Sequence, residues 1–245
     1  MNDKSSDQLN DSLTKLTELT ELDIARIEAN QAALELLLVL DQTKHQIVTA
    51  ESITGGLIFS TLVDIPFGGS NKYGSFVVYD SEAKRIQLGI LVNNIYSLKC
   101  AEEMAISALK KSSATIAISA TGNAMPRAGE KKHLGHLEHL EHLEHLGHLG
   151  EVFIGLAGYV DDKIIVVSTA HNFCSNSEIC SKWCAKPEIE LASYIEDSSY
   201  EINRNVSQLI RNKTVAMALG LCKKFVLEQK LLVDINKKID LNESL

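Results

Sequence analysis

The chain has 245 residues, 45% hydrophobic and 23% charged, a balance that fits a globular protein and excludes a fibrous or wholly disordered one. Its 24 basic residues against 32 acidic ones leave a net charge of -8, which opposes attraction to a phosphate backbone, so nucleic acid is not an expected partner. The polar, acidic start lacks the features of a signal peptide and no apolar stretch reaches the roughly 18 residues of a membrane span, so no membrane association is expected. Five cysteines, an odd number unevenly placed, read as free thiols in a reducing compartment, and a cytoplasmic location is the expectation.

Residues 1–20 read as a flexible extension, ahead of a helix patterned on Ile24, Ile27, Leu34, Leu37 and Leu38. A strand over Gln46–Ala50 runs into a Ser/Thr/Gly segment, and Leu57, Ile58, Leu62 and Val63 pattern a second helix. Tyr73–Tyr79 reads as a strand and Ser81–Lys84 as the start of a short helix; Cys100–Lys111 reads as an amphipathic helix and Ala114–Ala120 as a buried strand. From His133 to Gly150 the chain repeats His-Leu-Glu or His-Leu-Gly with a period of three, which is neither a helical nor a strand period and predicts a lengthened loop. Val152–Ala157 and Lys163–Ser168 predict two strands joined by a turn at Asp161-Asp162. An irregular insertion over 174–203 precedes a last helix through Val206, Leu209, Ile210, Val215, Ala218, Leu219 and Leu221, with residues 231–245 as a tail. Strands interleaved with helices predict one three-layer α/β/α domain over 21–230, with a mixed, mostly parallel sheet.

The chemistry is expected where the first strand gives way to a helix, at Ala50-Glu51-Ser52-Ile53-Thr54-Gly55-Gly56. A serine in such a turn can meet unpaired helix amides, whose partial positive charge favours an anion or oxyanion; Thr54 adds a hydroxyl, and Gly55 and Gly56 permit close approach. The same pattern also reads as a capped helix start. A serine needs a base, and six of the eight histidines lie in the repeat, so no Ser-His-Asp triad is evident. Lys84 is the candidate, since a desolvated lysine favours the neutral amine, with Tyr79 as a relay; the alternative reading of Lys84 is a solvated helix lysine. Ser81-Glu82-Ala83-Lys84 also mimics the Ser-x-x-Lys signature of penicillin-recognising enzymes, without the accompanying motifs.

These residues, in this order, resemble the CinA C-terminal domain family, which includes the PncC-type nicotinamide-nucleotide amidases. The pattern Ala-Glu-Ser-x-Thr-Gly-Gly is met in full at Ala50–Gly56, and Tyr79–Lys84, Leu88-Gly89-Ile90, Met104-Ala105, Thr121–Pro126 and Gly150–Ala157 continue it. The resemblance implies hydrolysis of nicotinamide mononucleotide to nicotinate mononucleotide and ammonia, with no cofactor and no metal. It implies Ser52 as nucleophile, Lys84 as its activator and Tyr79 as an assistant. Thr54, Gly55, Gly56, Thr121 and Gly122 would line the substrate site. The expected partner is a small pyridine nucleotide, with a homodimer as the default assembly.

The chain departs from the family's Thr-Gly-Ile-Ala-Gly-Pro-Gly-Gly turn at Asn123-Ala124-Met125-Pro126-Arg127-Ala128, where Met125 adds bulk at a glycine position. The family's arginine before the last helix falls on Ser207, with Arg204 three residues earlier as the stand-in. These departures support an alternative expectation, a family member of weakened catalysis acting as a nucleotide-binding or protein-interaction module. The histidine repeat and the set His171, Cys174, Cys180 and Cys184 offer metal-ligand types without the spacing of a zinc module, and read as a solvated loop and free cysteines. Trp183, the sole tryptophan, reads as a packing residue.

Overall fold

The computed structural model describes residues 19–124, 149–175, 177–181 and 198–243. Helix α1 (Glu21–Thr43) starts at a capping box, in which the Thr20 side chain accepts from the Asp23 backbone and the Asp23 side chain from that of Thr20. Strand β1 (Ile47–Glu51) leads into α2 (Leu57–Asp64), and a single 3₁₀ turn (Gly69–Asn71) precedes β2 (Lys72–Val77). The short α3 (Ser81–Ala83) runs on as a π-helical turn (Lys84–Leu88) closed by Gly89 in the left-handed region, and α4 (Leu98–Lys110) follows. Then come β3 (Ile116–Gly122), β4 (Glu151–Val160), β5 (Lys163–Asn172), the one-turn α5 (Glu178–Ser181) and the long α6 (Ser198–Glu243). Residues 198–203 are therefore helical rather than irregular, and 231–243 continue the helix where a tail was expected. Most of the histidine repeat, Met125, Trp183 and Cys184 lie outside the described residues.

The five strands form one mixed sheet in the order β2-β1-β3-β4-β5. β1 pairs in parallel with both β2 and β3, while β4 is antiparallel to β3 and to β5, so four of these strands run one way and β4 alone runs back. Alternation along each strand assigns side chains to two layers. Ile47, Ile116, Ile118, Ala120, Ile154 and Leu156 meet α1, α2 and α6 on one face; Val48, Ala50, Ala117 and Ala157 meet α4 on the other. The three-layer expectation is met. Among the described residues, no helix is long and apolar enough to cross a membrane.

Helix α1 corrects the expected apolar pattern. Ile24, Ile27 and Leu38 are exposed, and the buried stripe is Leu22, Ala25, Ala29, Ala33, Leu36, Leu37 and Leu40, at helical spacing. Alanine's small side chain lets α6 come close, so the large residues at its flanks stay in solvent. Ion pairs tie the same two helices, Lys213 Nζ to Glu21 at 2.7 Å and Lys223 Nζ to Glu35 at 2.7 Å. Partial burial works to raise the Glu21 carboxyl, but the Lys213 ammonium and the Ser177 hydroxyl outweigh it and hold it below its ordinary value. A lowered carboxyl pKa contributes stability above its unfolded value and loses it as pH falls through the folded one. Glu21→Gln is accordingly expected to cost about 0.5 kcal/mol at neutral pH and nothing in acid, measured by denaturant melts at both.

The free-thiol expectation is corrected at two positions: Cys174 and Cys180 are joined as a disulfide, their Cα atoms 5.3 Å apart, because the chain turns back through α5 directly after β5. Cys100 and Cys222 remain buried free thiols. His171 stacks on Phe173, 5.7 Å between ring centroids, and Cys174 is committed to Cys180.

Candidate active site

The segment after β1 is pinned from within by Glu51, the last residue of that strand, whose side chain is fully buried on the α2 side. Its Oε1 faces the Thr49 hydroxyl at 2.8 Å, the Ser75 hydroxyl at 3.3 Å and the Phe59 N–H at 2.9 Å. Its Oε2 accepts from the Thr54 hydroxyl at 2.8 Å and the Ile58 N–H at 2.9 Å. Helix α2, whose N-cap Gly56 has no side chain to offer, is thus capped by a carboxylate. Two expectations change. The amides of Ile58 and Phe59 are bound to Glu51 rather than presented to a ligand, and Thr54 points its hydroxyl inward to Glu51 instead of to substrate. Gly56, at φ +94°, makes the turn into the helix, while Gly55 reaches the cavity.

Ser52 follows directly, its amide held by the Ala120 carbonyl at 2.9 Å, an extension of the β1–β3 ladder. Lys84 reaches it from the junction of α3 and the π-helical turn: Nζ lies 2.8 Å from Ser52 Oγ and 3.0 Å from the Tyr79 carbonyl oxygen. The Lys84 side chain is 1% exposed, so the solvated-lysine reading is excluded. The 2.8 Å line from Nζ to Oγ is the geometry that proton transfer between the Ser52 hydroxyl and a lysine amine requires. Tyr79 meets the pair through its carbonyl, which also lies 3.4 Å from Ser52 Oγ, while its side chain is 65% exposed at the cavity. The nearby Cys100 thiol is buried and pushed up to about 11 by desolvation, so it does not compete as a thiolate.

Ser52 opens onto a cavity of about 280 Å³ lined also by Ile53, Gly55, Tyr79, Ile95, Tyr96, Gly122, Asn123, Ala124, Ser207 and Arg211. Lys84 lines a second cavity of about 250 Å³ behind it, and Ile95 borders both. Gly122 lies at φ +152°, where an added Cβ would sit 2.4 Å from the Glu151 carbonyl oxygen, so the wall there is bare backbone. Thr121 supports the wall from behind, donating to the Ile95 carbonyl at 2.8 Å.

Arg211 is the residue the sequence did not single out. Its guanidinium donates to the Thr54 carbonyl from Nε at 3.1 Å and Nη2 at 2.6 Å, which ties α6 to the Ser52 turn. Among the described residues lining the cavity it alone is charged, and its five N–H groups give it donors beyond those two. Ser207 lines the cavity one turn before it. Arg204 is exposed and does not line it: seven residues of helix set it about 10 Å along the axis from Arg211, too far to replace it. Arg211, not Arg204, is the charged side chain that lines the cavity among the described residues.

A mixed-sheet α/β domain with a buried lysine on a serine, beneath a cavity lined by an arginine, is the class of protein that fold and site define. Residues 29–137 match the model of the CinA C-terminal domain. The CinA-like protein of Flavobacterium psychrophilum is 44% identical over 98 residues, covering 38% of this chain and 23% of that protein. The Mycoplasma pneumoniae protein named MG115 homolog is 38% identical over 99 residues, covering 38% of this chain and 62% of that one. The matched stretch therefore spans less than two thirds of either relative. In the solved structure of the competence/damage inducible protein CihA from Agrobacterium tumefaciens, 21% identical, the likeness covers 83% of this chain and 96% of that chain with a TM-score of 0.53, which shows a shared fold. The resemblance to the CinA C-terminal domain family, the competence-damage inducible proteins, is borne out.

Proposed function

We propose that this protein is an amidohydrolase that converts nicotinamide mononucleotide to nicotinate mononucleotide and ammonia. The observation that carries the reading is the 2.8 Å contact between Lys84 Nζ and Ser52 Oγ at the floor of the cavity. As Ser52 Oγ attacks the carboxamide carbon, the Lys84 amine takes its proton. Collapse of the tetrahedral adduct breaks the C–N bond, and the proton passes from Lys84 to the departing nitrogen, which leaves as ammonia. Water then attacks the Ser52 ester, giving one proton to Lys84, and Lys84 returns it to Ser52 Oγ as the carboxylic acid departs and loses its remaining proton to solvent. The cycle closes with one water consumed.

The substrate phosphate is assigned to Arg211, whose planar fork suits a phosphate oxygen pair. Arg211→Ala is expected to raise KM for nicotinamide mononucleotide about tenfold or more, the scale of a lost charge-assisted hydrogen bond. Against nicotinamide riboside, which lacks the phosphate, the same variant should change KM little; comparing the two substrates cancels any effect of releasing Thr54. Equal losses on both would remove Arg211 from phosphate binding.

Ammonia and nicotinate mononucleotide released by the purified full chain from nicotinamide mononucleotide test the reading directly, and stoichiometric release of both is expected. A chain that only holds the nucleotide would bind it and release no ammonia, and that result overturns the amidase in favour of a binding module.

A further inference from the structure

Glu51 carries more than a helix cap requires. Its carboxylate gathers donors from four places: Thr49 on its own strand, Ser75 on the neighbouring β2, Thr54 in the turn, and Ile58 and Phe59 at the head of α2. The Thr49 and Ser75 hydroxyls also meet each other at 2.7 Å, but each carboxylate oxygen faces a backbone N–H that can only donate, Phe59 at Oε1 and Ile58 at Oε2, so the position needs a group that only accepts. Ser52 is the next residue, and its Oγ must be held against a lysine that arrives from a different element. Little else can vary there. The Ser52 amide is fixed to β3 through Ala120, and Gly55 N–H closes back on the Ser52 carbonyl at 3.1 Å.

We propose that Glu51 is the positioning residue of the nucleophile: by clamping β1, β2, the Thr54 turn and the α2 terminus onto one carboxylate, it holds Ser52 Oγ in line with Lys84 Nζ. It does not touch substrate. The proposal rests on the reading of Ser52 as nucleophile, and its test includes a reaction that does not involve nicotinamide mononucleotide.

Glutamine keeps the shape of Glu51 but turns one acceptor oxygen into an NH₂ that faces a backbone N–H, Phe59 or Ile58, whichever way the amide lies. In Glu51→Gln the turn shifts, and a misplacement of the order of an ångström lowers the reaction about 100-fold. The expected signature is a fall in kcat with KM for nicotinamide mononucleotide nearly unchanged, and a parallel fall in the rate at which phenylmethylsulfonyl fluoride sulfonylates Ser52, read by intact mass. Glu51→Asp, which restores an acceptor-only group one methylene short, should recover about tenfold of that loss, a rescue that mere cavity filling would not give. If Glu51→Gln does not fold, Thr54→Val, which removes a single donor and leaves the charge, is expected to slow sulfonylation several-fold in a folded protein. Folded Glu51→Gln or Thr54→Val with native sulfonylation rates would overturn the proposal. A native chain that is sulfonylated at Ser52 yet releases no ammonia would sink the amidase reading and leave Glu51's role standing. A native chain that is not sulfonylated at all would end both.

Discussion

Ser52→Ala and Lys84→Met are each expected to lower the release of ammonia from nicotinamide mononucleotide by about 10⁴-fold, and the double variant to be no worse than the poorer single one. The reasoning lies in the division of labour. The hydroxyl is a poor nucleophile without an acceptor for its proton, and the amine has nothing to activate without the hydroxyl, so removing either removes the same step. Methionine suits the test at position 84 because the side chain is almost fully buried, and an unbranched apolar residue fills the same space. Removing a buried amine also relieves its desolvation, so Lys84→Met should unfold at or near the native temperature while activity collapses. Steady-state kinetics and a thermal melt on the same preparation separate the two effects. Lys84→Met within tenfold of native activity would show that some other group takes the proton.

Gly155→Ala is the second large effect, and it acts on the fold. Gly155 lies in β4 opposite Ser119, where α4 crosses the sheet. An added Cβ would sit 2.5 Å from the Ala101 carbonyl oxygen, 2.6 Å from Ser119 Oγ and 2.7 Å from the Ala101 carbonyl carbon. Two of those three atoms are backbone, so relief requires α4 to move as a unit. The short Ser119 Oγ contact to the Ala101 carbonyl, 2.5 Å, breaks with it. Overpacking of this kind costs about 3 kcal/mol, or a fall in Tm of roughly 10 °C for a chain of this size. Ile95 and Tyr96 stand just ahead of α4 and line the cavity, so activity below the melt should fall as well. Gly220 in α6 is the control: nothing lies within 4 Å of where its Cβ would be, and alanine there should be neutral or stabilising. An unchanged Tm in Gly155→Ala would show that α4 yields at little cost.

The serine–lysine pair was legible because its signals are local or carried by residue identity. A β-type run ending in Ser-x-Thr-Gly-Gly announces a strand, a turn and a helix, and Lys84 could be named from the Tyr-x-Ser-Glu-Ala-Lys pattern. Thr54 was misread for a physical reason. Its hydroxyl has the right chemistry for substrate, but alternation along β1 places Glu51 on the α2 side, and the turn then aims Thr54 at that carboxylate. Arg204 was offered because the family's arginine falls on Ser207, three residues later; the helix instead brings Arg211, one turn beyond Ser207, to the cavity.

By itself, the sequence determined the strands and helices of one mixed-sheet domain and the residue types of a serine–lysine pair, since hydrophobic period and side-chain chemistry act over a few neighbours. Only the tertiary structure decided which groups meet. The Ser52–Lys84 contact spans 32 positions and the Arg211–Thr54 contact 157, and both depend on the order in which the strands lie side by side. The same holds for Glu51, an acid of the motif to which the sequence assigned no role, which becomes the common acceptor of two strands, a turn and a helix once the sheet is assembled.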